Sequence, residues 1–182
     1  LREAHRRIDS APIAPKEKAN MRMVIGRSLL ELGERAKARQ QFEQAYATYR
    51  KLNGETGRLT ARSMLYLGMA LSSLGENAHA RRVLGRLLRR NSRLLGENHE
   101  DTLAVKANLI GLQVDAGELE EAASLREGLL KGMVHNQGEG HHDTLATRVN
   151  LGNDYWELKS WKTAEEMFSK AWTAMEETKQ QD

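Results

Sequence analysis

The sequence predicts an all-α protein, a solenoid of antiparallel helix pairs. Composition, a long internal period and the spacing of apolar residues inside each period carry that prediction. Among 182 residues there are only two prolines, Pro12 and Pro15, and only ten Val plus Ile, whereas Ala, Leu, Glu, Arg and Lys abound. Such a mixture favours helices, because straight-chain side chains lose little rotamer freedom in a helix while β-branched ones suit pleated strands. The period is 42 residues: Leu95-Gly96-Glu97-Asn98-His99-Glu100-Asp101-Thr102-Leu103 superposes on Gln137-Gly138-Glu139-Gly140-His141-His142-Asp143-Thr144-Leu145, with six matches in nine. The same shift aligns Ala38, Ala80, Ala122 and Ala164, then Gly33-Glu34, Gly75-Glu76 and Gly117-Glu118, then Gly26, Gly68 and Gly152, so the chain holds four units.

The elements follow in order. Leu1 to Ile8 reads as the last turns of an earlier unit's second helix, so 1–10 is the end of a preceding repeat, and the loop after it holds both prolines. An opening Leu also predicts a segment excised from a longer protein. Repeats are expected at about 16–53, 54–95, 96–137 and 138–179 within a domain spanning 11–182, with a short tail. Each divides into two helices, near 16–32 and 35–51, 58–74 and 77–92, 101–116 and 119–134, and 143–158 and 161–179. In the fourth unit Leu145, Val149, Leu151 and Tyr155 recur at helical spacing, Lys159-Ser160 interrupt them, and Trp161, Ala164, Phe168, Ala171 and Met175 resume. Gly152 and Ala164 fall where two helices cross too closely for larger side chains. Between units the Gly-Glu-x-x-His stretch is loop, and Asp101 and Asp143 stand where N-caps of the next helix belong.

The order Asn150-Leu151-Gly152-Asn153, Tyr155, then Ala164, Phe168 and Ala171 resembles the tetratricopeptide repeat, and the 42-residue period with its Gly-x-x-His-x-Asp-Thr-Leu loop resembles the long-helix variety of kinesin light chains. The resemblance covers roughly residues 11 to 179, departing at Glu100 and His142, where the family has Pro, and at Ile110, where it has a small residue. It implies a right-handed superhelix whose first helices line a concave groove that takes a protein or peptide. On that geometry the groove positions include Arg27 in unit one, Arg62 and Met69 in unit two, Asn108 in unit three, and Asn150, Asn153, Trp156 and Glu157 in unit four. Asn side chains both donate and accept, so they can hold the backbone of an extended peptide, and Trp156 is a flat anchor of the type that dominates interfaces. The competing reading has Asn108 and Asn150 bridging to neighbouring helices and Trp156 packing against a further repeat.

Catalysis finds no support in the sequence. With no cysteine there is no thiolate nucleophile, and Ser, His and Asp occur without a signature linking them as a triad. The glycines fall at repeat positions rather than in a phosphate-cradling strand-turn-helix. His141, His142, Asp143, His135 and Glu139 invite a metal reading, but His99 and His141 share one place in the repeat, so a loop role is expected and no metal or cofactor. The one basic run is Arg81, Arg82, Arg86, Arg89, Arg90 and Arg93 between Val83, Leu84, Leu87 and Leu88. It reads as a solvated outer face; against a nucleic-acid partner stand the absence of stacking aromatics within it and a net charge of only +3. The reading that results is a non-catalytic, cytoplasmic interaction module, free of membrane spans, from a larger multidomain signalling or regulatory protein. The alternatives are an array that senses a peptide or small ligand and gates an attached kinase or DNA-binding domain, and a nucleic-acid-binding helical repeat.

Overall fold

Eight helices follow one another among residues 12–179, the part of the chain that the computed structural model describes: α1 Pro15–Glu31, α2 Arg35–Asn53, α3 Arg58–Ser73, α4 Asn77–Leu95, α5 Glu100–Asp115, α6 Leu119–Gln137, α7 His142–Glu157 and α8 Trp161–Lys179. The fold is all-α, as the sequence predicts. The segment expected to end a preceding repeat, residues 1–10, lies outside the described residues. None of these helices is long and apolar enough to cross a membrane.

Local chemistry sets where each helix starts and stops. Pro15 is the first residue of α1 rather than part of the preceding loop, because the first turn needs no N–H and the ring fixes a helical φ. The second helices α2, α4 and α6 run on to Asn53, Leu95 and Gln137, two or three residues beyond the apolar pattern. They stop at Gly54, Gly96 and Gly138, whose φ values of 69°, 97° and 89° belong to the left-handed region that glycine enters without strain. The turn inside each pair uses Gly33, Gly75 and Gly117 in the same conformation, and in the last pair Lys159 takes it at φ 57°.

The caps correct one expectation. His99 and His141, not Asp101 and Asp143, are the N-caps of α5 and α7: each imidazole Nδ1 accepts from the backbone N–H two residues on, at 3.1 and 3.2 Å. Asp101 and Asp143 sit inside the first turn, where a carboxylate suits the positive end of the helix dipole.

Two compact units divide the described chain, residues up to Leu87 and residues from Leu88, with the boundary inside α4. In the first, α1 packs on α2 and α2 on α3, around Phe42, Ala45, Tyr49, Met64, Leu67 and Leu71. Small residues let the helices approach: a Cβ added to Gly26 would come 2.6 Å from the Phe42 ring, and one on Gly68 2.5 Å from Leu84. In the second, α5 packs on α6, α6 on α7 and α7 on α8, and Ala123, Leu130 and Leu151 gather Val134, Tyr155, Leu158 and Met167 about them. Gly152 stands against Phe168 as Gly26 stands against Phe42.

Ile110 breaks that series, and the partner position changes with it. Phe42, Leu84 and Phe168 sit sixteen residues after Gly26, Gly68 and Gly152; the residue sixteen after Ile110 is Arg126. Its guanidinium turns to α7, donating to the Asp154 carboxylate and, at 3.1 Å, to the Asn150 carbonyl. A large residue on the first helix is thus matched by a slender one whose charge leaves the crossing.

Candidate functional site

The first helices carry the residues expected at the groove, and each unit has its own group. In the first unit α1 places Asn20, Met23, Val24 and Arg27 on one face at spacings of three and four, and α3 sets Leu59 and Arg62 opposite. With Tyr49 of α2 they enclose a cleft of about 220 Å³. Its floor is apolar: Met23 and the Tyr49 ring are buried. The Tyr49 hydroxyl donates to Asn20 Oδ1 at 2.6 Å, which ties α2 to α1; burial pushes its phenol above the ordinary range, against the pull of Arg62. Arg27 lies with its guanidinium 5.8 Å from the centre of the Tyr66 ring, a cation–π distance, and Tyr66 stacks in turn on Phe42 at 5.4 Å. Both charged lining residues, Arg27 and Arg62, are cationic and exposed. The cleft can therefore take an apolar group with an anionic neighbour.

Met69, one turn beyond the Tyr66 shelf on α3, is half-buried and outside that lining. Asn108 of α5 is half-buried too, and its amide donates at 2.9 Å to the Ala104 carbonyl of its own helix. One of its two donors is thereby occupied within α5, which weakens the expectation that it holds a peptide backbone.

In the second unit α7 presents Asn150, Asn153, Trp156 and Glu157 over two turns, all exposed. Trp156 is 55% exposed, so among the described residues it is not core. It meets Trp161 of α8 edge-to-face, with ring centres 4.7 Å apart across the turn at 158–160. Trp161, also half in solvent, is the partner that sequence reasoning passed over, although two tryptophans flanking one short turn are a legible signal. The buried faces of α7 are polar elsewhere: Arg148 pairs with Glu139, and the Tyr155 hydroxyl donates to Glu127. The histidine loop is structural in this geometry, His141 capping α7 and His142 lying 3.3 Å from Asp143.

Burial, with the Glu127 carboxylate beside it, pushes the Tyr155 phenol up to about 12. Because the folded value is raised, its contribution to stability is complete below the usual tyrosine value near 10 and is lost as pH rises through 12. Absorbance titrations of the wild type and Tyr155→Phe are expected to superimpose up to about pH 11. An extra ionising tyrosine in the wild type between about pH 9 and 10.5 would show the hydroxyl to be free of Glu127.

Comparison with known proteins finds a family match over part of the chain and a shared fold over most of it. Residues 17–92 match the tetratricopeptide repeat model. No curated protein matches the chain. Among solved structures the chain is similar to BtubC (BKLC) from P. vanneervenii, at 20% identity and a TM-score of 0.82 over 98% of this chain and 71% of that one. It is also similar to a kinesin light chain of Podosopora anserina with nearly identical TPR-like repeats, at 19% identity and a TM-score of 0.81 over 91% and 78%. At these identities the likeness establishes the fold.

Proposed function

We propose that this chain, a tetratricopeptide-repeat protein with a fold like that of kinesin light chain repeats, is a non-catalytic module that holds an extended segment of a partner protein on the face made by its first helices. Tetratricopeptide repeats in general mediate protein–protein interaction. The observation that supports this face is the cleft between α1 and α3, where an apolar floor is rimmed by Arg27 and Arg62. The exposed Trp156–Trp161 pair beside Asn150 and Asn153 supplies a second set of contacts in the other unit. We place the module in the cytoplasm, as part of a larger signalling or regulatory protein.

The test compares the affinity of a recovered partner segment for wild type, Trp156→Ala and Asn150→Ala. Desolvated aromatic anchors carry most of the energy of such contacts, so Trp156→Ala is expected to weaken binding by about 2 kcal/mol, roughly thirtyfold. Loss of one neutral hydrogen bond in Asn150→Ala should cost about 1 kcal/mol. The melting temperature should hold in both, since each side chain already stands in solvent. A Trp156→Ala protein that melts far lower, yet binds normally per folded molecule, would move the partner to another surface.

A further inference from the structure

The sequence's arginine run acquires a cavity in the folded first unit, on the face made by the second helices. Tyr46 of α2, Met64 and Leu67 of α3, and His79, Arg82, Val83 and Arg86 of α4 enclose a cleft of about 190 Å³. Met64 and Leu67 are buried and form an apolar floor, while Arg82 and Arg86, one helical turn apart, are exposed at its rim. The neighbouring carboxylates are already committed. Glu43 and Glu76 pair with Arg39 at 2.8 and 2.6 Å, and Glu76 also lies 3.8 Å from His79. Arg82 and Arg86 form no hydrogen bond or ion pair among the described residues.

The repeat itself indicates what such a crevice takes. Forty-two residues after Met64 stands Lys106, and forty-two further Arg148. Both are buried, and each pairs with the glutamate of the loop before its own helix, Lys106 with Glu97 at 2.8 Å and Arg148 with Glu139. Lys106 lies across the equivalent crevice, since a Cβ on Gly128, the counterpart of Arg86, would come 3.2 Å from its Nζ. In the first unit the corresponding loop glutamate, Glu55, pairs with Arg50 at 2.7 Å instead. The cation of the crevice has moved from the first helix to the second, and no carboxylate among the described residues pairs with it.

We propose that the cleft between α2, α3 and α4 is a second docking site, for an acidic peptide segment that inserts one apolar side chain over Met64 and Leu67 and sets a carboxylate against Arg82 and Arg86. The volume suits such a side chain, as a cavity of about 150 Å³ accommodates benzene. Guanidinium forks bind carboxylates bidentately, which fixes direction as well as charge. The site is distinct from the first-helix face and stands or falls separately from it.

The experiment uses the full chain and a fluorescein-labelled peptide, Glu-Phe-Glu-Glu-Leu-Glu, followed by anisotropy, with the Gln-Phe-Gln-Gln-Leu-Gln analogue, inorganic phosphate as competitor and a labelled oligouridylate as comparators. The double variant Arg82→Gln/Arg86→Gln is expected to bind the acidic peptide at least tenfold more weakly, with unchanged melting. Arg89→Gln/Arg93→Gln, which removes equal charge from the same helix, and Arg27→Gln/Arg62→Gln, which alters the first-helix cleft, should each change affinity less than threefold. Equal losses in all three doubles would reduce the effect to net charge and overturn the proposal. So would selective loss in Arg27→Gln/Arg62→Gln, equal binding of the glutamine peptide, displacement by phosphate alone, or tighter binding of the oligouridylate lost with any pair of arginines.

Discussion

Replacing Arg126 with alanine is expected to destabilise the second unit by about 3–5 kcal/mol, the usual cost of removing one partner from a buried ion pair. Asp154 is only 7% exposed, and Arg126 is its charged partner. Burial pushes the Asp154 carboxyl above the ordinary carboxylate range, and the hydrogen bond and charge of Arg126 pull the other way. Without the guanidinium, burial acts unopposed and the Asn150 carbonyl also loses a donor. A raised folded value means that the folded state holds the proton more tightly than the unfolded chain. The loss is therefore smallest below the unfolded value near 3.9 and grows as pH rises through the folded one. Urea melts at pH 7 and at about pH 4.5 should accordingly show the gap between wild type and variant narrowing in acid. The double variant Arg126→Met/Asp154→Leu should recover much of the loss, because it leaves no charge buried without its partner and keeps a slender side chain opposite Ile110; forty-two positions before Asp154 stands Leu112, which is buried. A deficit below about 1 kcal/mol at pH 7 would show the pair to be screened like a surface one.

That pair marks the limit of what the sequence reveals. The helices are legible because the 42-residue period repeats Gly and Ala at helix crossings and apolar residues at helical spacing. The ends of α2, α4 and α6 are less so: polar or exposed residues such as Asn53, Leu95 and Gln137 carry no inward pattern, and the glycine that stops each helix was the better marker. The caps are not legible in the sequence, because histidine and aspartate two residues apart both offer an acceptor, and the backbone's extended entry at His99 and His141 decides between them. The resemblance to tetratricopeptide repeats, rather than periodicity, puts Arg27 and Arg62 on the first-helix face. That they rim one cleft depends on Tyr49, which arrives from α2. The second-helix cleft was hidden for the same reason: the arginine run was visible, but its neighbours Tyr46, Met64 and Leu67 lie in α2 and α3.

Ala164→Leu is expected to cost about 3 kcal/mol, the upper end of the range for overpacking a filled core. Ala38, Ala80, Ala122 and Ala164 are all 0% exposed, so the aligned alanines are crossings with no room in any unit. In the last pair Gly152 is already closed by Phe168, since a Cβ there would stand 2.5 Å from the ring. Three added carbons at Ala164 therefore have no void to enter, and α7 and α8 must separate. Ala107→Leu, at an exposed position of α5, should stay within about 0.5 kcal/mol of wild type. Because Trp156 and Trp161 belong to the two helices that separate, the Ala164→Leu protein should also show altered tryptophan emission before any denaturant is added. Its partner affinity per folded molecule should fall if α7 supplies the contacts through Asn150, Asn153 and Trp156. Denaturant melts in which Ala164→Leu and Ala107→Leu coincide would remove the close crossing, and with it the reason for a small residue at every forty-second position.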